Sequence, residues 1–100
     1  MMFVSMDVVI HSFKDGDTED VFNLTFVKRF SKELAKKARV KMQLIDAAGN
    51  INDLRVPPGN RLEKLAGDRE GQYSIRINDQ WRICFVWGEG AHEVEIADYH

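Results

Sequence analysis

Cysteine is nearly absent. Cys84 stands alone in 100 residues, so no internal disulfide can staple the fold, and a reducing, cytoplasmic compartment is the expectation. Proline is confined to Pro57 and Pro58, which leaves the rest of the chain free to form regular elements. No apolar run approaches the roughly 18 residues that a membrane-spanning helix needs. The opening stretch MMFVSMDVVI is apolar, but it has no basic leader and no small-residue cleavage site, and Asp7 interrupts it. It is therefore expected not to be a signal peptide, with Met2 and Met6 as alternative starts. Repeats and low-complexity segments are missing too.

What is present suffices for one domain spanning residues 1–100. At 44% hydrophobic and 10% aromatic residues the chain can fill a modest core. The net charge of -2 conceals an uneven distribution. Between residues 28 and 41 seven cations (Lys28, Arg29, Lys32, Lys36, Lys37, Arg39 and Lys41) face only Glu33, whereas residues 1–20 hold Lys14 against Asp7, Asp15, Asp17, Glu19 and Asp20. One face could attract a polyanion despite the acidic balance.

The β-branched run Val8 to Phe13, closed by Lys14, Asp15 and Gly16, reads as a first strand. Asp17 and Thr18 can cap a short helix with Glu19 and Asp20 in its first turn. Ser31 then caps a longer helix, in which Leu34, Ala35, Ala38, Met42, Ile45 and Ala48 recur at three- and four-residue steps until Gly49 and Asn50 stop it. Lys32, Lys36 and Arg39 share the face that this stripe leaves in solvent, either simply solvated or in contact with a polyanion. Val56 to Leu62 is a loop. Two half-buried strands follow, with Tyr73, Ile75 and Ile77 in one and Trp81, Ile83, Phe85 and Trp87 in the other. Strand, two helices, then an antiparallel meander predict an α+β domain with both helices packed on one face of a small antiparallel β-sheet.

Register follows from the apolar alternation, because a one-residue slip would turn every apolar side chain to the wrong face. A three-residue loop of Asn78, Asp79 and Gln80 sets Ile77 opposite Trp81, Ile75 opposite Ile83 and Tyr73 opposite Phe85. Arg76 then faces Arg82. Like charges directly opposite cost roughly 0.2–1 kcal/mol, so this pair requires acidic neighbours, with Glu70, Glu93 and Glu95 as candidates, or a bound anion. A last strand, Glu93 to Tyr99, brings Asp98, Tyr99 and His100 beside the sheet. Consecutive strand residues point to opposite faces, so Asp98 and Tyr99 share a cleft only if the ending is irregular.

The segment GDREGQYSIRINDQWRICF with the closing DYH, together with PPGNRLEKL and SFKDGDTEDVF, resembles the HigB branch of the RelE toxin superfamily across nearly the whole chain. The resemblance implies a ribosome-dependent messenger-RNA endonuclease. It further implies a HigA-like antitoxin with a helix-turn-helix domain, which would link the pair to operator DNA only indirectly. It assigns Asp98, Tyr99 and His100 to the catalytic ending, Arg82 to phosphate binding, and Arg69 to the matching turn. Where family members read RLHALKGD this chain reads RLEKLAGD, so Glu63 stands in place of a catalytic histidine and Ala66 in place of a catalytic lysine. Lys64 is a nearby cation that could partly substitute.

Cleaving RNA with side chains alone takes a base for the 2'-hydroxyl, an acid for the leaving 5'-oxygen, and cations for the phosphorane charge. Glu63, Tyr99, His100 and the arginines supply these types, with His100 the expected acid and Tyr99 either a base or a stacking platform. Arg69, Arg76 and Lys64 are expected to hold RNA, and Lys32, Lys36, Lys37 and Arg39 to meet ribosomal RNA. No cofactor is expected, and His11, His92 and His100 lack metal-ligand spacing. The rival reading is a catalytically weakened relative that only binds ribosome or antitoxin.

Overall fold

The computed structural model describes residues 9–98; the expectations for Tyr99 and His100 lie outside the described residues. Helix α1 spans Gly16–Phe22 and α2 spans Lys32–Ala47. Four strands form one antiparallel sheet in sequence order: β1 Glu63–Lys64, β2 Gln72–Arg76, β3 Trp81–Trp87 and β4 Ala91–Asp98.

The caps explain where the helices begin. Ser31 accepts from the Leu34 amide at 3.0 Å and starts α2 where the sequence places it. For α1 the cap is Asp15, not Asp17 or Thr18, because the extended Asp15 backbone lets its carboxylate reach the Thr18 amide at 2.7 Å. That shift frees the Thr18 hydroxyl. Buried, it accepts from the Ile96 amide of β4 at 3.1 Å and pins α1 to the sheet. Leu34, Ala38, Met42 and Ile45 of α2 pack on Ile75, Ile83, Phe85 and Ile96, which lie on one sheet face.

The hairpin register is the expected one, with Tyr73 opposite Phe85, Ile75 opposite Ile83, and Arg76 opposite Arg82. The side chain of Asn78 accepts from the amides of Gln80 and Trp81, which closes the turn. Two expectations change. Residues 9–13 form no regular strand, only isolated parallel bridges from Ile10 to Ala91 and from Phe13 to Val94. Between these bridges Glu93 adopts a left-handed φ of 55° where the β3–β4 register shifts, so the edge it offers is broken. Gly90, at φ 114°, is required there, because a Cβ would sit 2.6 Å from the His11 ring. Strand β3 is also not half-buried: Arg82 and Cys84 are buried on the face away from the helices, where Leu65, Cys84 and Ala97 make a second small core.

Candidate active site

The face away from the helices collects the ionisable groups. Alternation places Ser74 and Arg76 of β2, Arg82 and Cys84 of β3, and Glu95 of β4 on it. Glu63 joins them because β1, two residues long, pairs Glu63 with Ser74. By the same pairing Lys64 lies opposite Tyr73, on the other face. Ending the loop at Arg61, whose φ is 46°, turns the chain into this short strand.

Arg82 is the centre of this face and only 9% exposed. Its Nε donates to Ser74 Oγ at 2.7 Å and its Nη2 to the Arg61 carbonyl at 2.7 Å. Nη2 also lies 3.5 Å from Glu63 Oε1. A guanidinium this deeply buried costs several kcal/mol unless its N–H groups are met, and two neutral acceptors and a carboxylate meet them here. The fork is thereby fixed in one orientation, which suits a planar donor aimed at a phosphate.

Arg69 reaches over the same face from the turn Gly67–Arg69. Its Nη1 donates to Gln72 Oε1 at 3.0 Å and to Glu95 Oε1 at 3.1 Å, and Lys14 Nζ lies 3.6 Å from that same Glu95 oxygen. Below them burial pushes the Cys84 thiol up from its ordinary value, against the opposing pull of Arg69 and its neighbouring cations. The thiol is thus a packing group, as its place in a strand suggests. Arg76 opposes Arg82 in the ladder but bonds to Asp79 in the hairpin loop. So the carboxylates that meet the opposed arginines are Asp79 and Glu63, while Glu95 is engaged by Arg69 and Lys14.

Glu63, Arg69, Arg76 and Arg82 are therefore brought to one face, and Lys64 is not. Asp98 pairs with Trp81, on the helix-facing side, and accepts from Gln80 Nε2 at 3.1 Å. Lys32, Lys36, Lys37 and Arg39 ride on α2, across the sheet from Arg82. Arg39 is tied to the end of α1, where its Nε donates to the Phe22 carbonyl at 3.0 Å. Among the described residues no three His, Cys, Asp or Glu side chains gather as metal ligands, and no helix is long and apolar enough to cross a membrane. Sequence reasoning named Glu95 only as a possible partner of Arg76 and Arg82, whereas it meets Arg69 and Lys14, and it missed Ser74, the Arg61 carbonyl and Lys14. The parity that aligned Arg76 with Arg82 also held Ser74, whereas the other two depend on long-range contacts.

Comparisons with known proteins bear on the family and the fold. The family model described as RelE-like toxin of type II toxin-antitoxin system HigB matches residues 9–100. Toxin HigB-1 of Vibrio cholerae is 50% identical over 60 residues, which are 60% of this chain and 63% of that toxin, so the match spans just under two thirds of that relative. Endoribonuclease HigB of Proteus vulgaris is 31% identical over 93 residues, covering 92% of this chain and 100% of the relative. The YoeB-YefM complex from Staphylococcus aureus contains a chain with the same fold, at a TM-score of 0.60 and 23% identity, covering 94% of this chain and 98% of that one.

Proposed function

Because this chain belongs to the HigB-like family of RelE-like toxins from type II toxin-antitoxin systems, we propose that it is an endoribonuclease that cuts messenger RNA on the ribosome and is neutralised by a HigA-like antitoxin. The observation that carries the reading is Arg82, buried and oriented by Ser74 and the Arg61 carbonyl at the centre of a face that also holds Arg69, Arg76 and Glu63. A fixed guanidinium of this kind stabilises charge that develops on a phosphorane without having to reorganise during the reaction.

In the proposed mechanism the scissile phosphate sits against Arg82, and Arg69 and Arg76 exchange their carboxylate partners, Glu95 and Asp79, for neighbouring phosphates. Glu63, beside Arg82, accepts the 2'-hydroxyl proton as the 2'-oxygen attacks phosphorus. The P–O5' bond breaks, and His100 donates the proton that makes the leaving group a 5'-hydroxyl, with a 2',3'-cyclic phosphate left on the other fragment. Tyr99 stacks on an unpaired base, as aromatic side chains do. The work is done in the cytoplasm, where messenger and ribosomes meet. Mapping RNA ends after brief expression, with and without ribosomes, tests the reading. New ends are expected from the wild-type chain and none from a folded Arg82→Ala variant, and a wild-type chain that makes no new ends would leave a protein that only binds.

A further inference from the structure

Asn60 is polar and fully buried, and its side chain gathers the loop that precedes β1. Its Nδ2 donates to the Leu54 and Val56 carbonyls, at 3.2 Å each, and its Oδ1 accepts from Lys41 Nζ at 2.6 Å. A carbonyl only accepts and an ammonium only donates, so the amide has a single orientation that satisfies all three bonds. Residues 54–60 are thereby folded around one side chain, which α2 holds through Lys41.

The next residue is Arg61, whose backbone is left-handed at φ 46°. A residue with a side chain keeps that conformation only where its surroundings impose it. Its carbonyl is one of the two neutral acceptors that fix the Arg82 fork, 2.7 Å from Nη2. A continuous line of hydrogen bonds and backbone therefore runs from Lys41 through Asn60 and Arg61 to the buried guanidinium. Lys41 sits at its end against its own preference. Burial, with the positive charge of Arg76 added to it, pulls its ammonium down from the ordinary lysine value. No carboxylate pairs with it among the described residues. A lysine serving solubility alone would turn to water, whereas this one turns to an amide oxygen in the interior.

We propose that Lys41 and Asn60 are positioning residues for Arg82, which fix the Arg61 carbonyl and through it aim the guanidinium at the scissile phosphate. The proposal rests on the reading of this chain as an endoribonuclease with Arg82 at the phosphate. Lys41 lies ten residues beyond the Ser31 cap, among the buried Ala38, Met42 and Ile45, so a loosened first turn of α2 leaves this link in place. Neither residue touches RNA in this scheme. Their loss should therefore appear in the rate of cleavage and not in affinity for the ribosome.

Single-turnover cleavage on ribosomes carrying a short messenger, at limiting and at saturating ribosome, tests it. Asn60→Ala strips three bonds from a buried position and lowers the denaturation midpoint, so the test is carried by Lys41→Met, which keeps most of the half-buried stem and removes the donor. Misplacing an aligned group by about 1 Å can cost roughly 100-fold, and Lys41→Met is expected to lower the saturated rate at least about tenfold, with ribosome affinity within about twofold of the wild type. A second arm separates positioning from general support. Arg82→Lys has already given up the Arg61 carbonyl, so adding Lys41→Met to it should cost no more than about twofold. A merely structural role would lower the rate by the same factor in both backgrounds. Wild-type cleavage by Lys41→Met would overturn the proposal, and so would equal factors in the two backgrounds or a loss confined to affinity. A wild-type chain that makes no new RNA ends overturns instead the endoribonuclease reading beneath it.

Discussion

At the scale of single residues the argument turns on how Arg82 is held. Ser74 is as buried as any residue in the chain, and its hydroxyl serves the Arg82 Nε. Ser74→Ala removes that acceptor from a fully buried position, which costs about 1–3 kcal/mol. Urea denaturation should show this loss, and single-turnover cleavage should fall further than the drop in folded fraction explains. Arg82→Lys keeps the charge but loses the fork, since an ammonium on a flexible stem cannot meet Ser74 and the Arg61 carbonyl while pointing at a phosphate. Loss of one preorganised donor at a developing oxyanion typically costs about 10²–10³-fold in rate. Single-turnover cleavage by Arg82→Lys is expected to fall in that range with substrate binding nearly intact. A near-normal rate would mean that Arg82 supplies charge alone, and its hydrogen bonds would then be structural.

At the scale of elements the same division between support and chemistry appears in the caps. Ser31→Ala deletes the α2 cap and should cost about 0.5–2 kcal/mol, read as a lower denaturation midpoint. Because α2 supports the sheet from the far side, single-turnover cleavage below that midpoint should not change. Slower cleavage by fully folded Ser31→Ala would instead tie α2 to the chemistry. Elements also show what could be read ahead of the structure. The hairpin register, including Arg76 opposite Arg82, was legible because seven alternating apolar residues and a turn of Asn78, Asp79 and Gln80 allow one pairing. Strand β1 was not legible: two residues carry no periodicity, so the partnership of Glu63 with Ser74, and the turning away of Lys64, follow only from the ladder. Pairing of residues 9–13 with β4 spans most of the chain, and local pattern says nothing about such contacts. The basic stripe on α2 was plain, but the left-handed turn at Leu24 was not, since no propensity favours it for leucine.

At the scale of the whole molecule the cations fall on two surfaces, one on each side of the sheet. A net charge of -2 gives no general attraction to RNA, so affinity has to come from local clusters and has to depend on salt. Arg69 lies on the proposed catalytic face, already paired with Glu95. That pair is partly exposed and of modest worth, so a phosphate can replace the carboxylate and release counterions from the RNA. Each such contact contributes roughly 0.7 to the salt slope on single-stranded RNA. For binding to ribosomes carrying a short messenger, Arg69→Gln is expected to lower the slope by somewhat less than one unit, since part of the charge is already screened by Glu95. Lys32→Gln with Lys36→Gln should leave it unchanged, because those cations lie on α2, on the other side of the sheet. If the lysine pair lowers the slope and Arg69→Gln does not, the two surfaces are assigned the wrong way round: RNA would lie along α2, and the arginine face would owe its charges to folding rather than to the messenger.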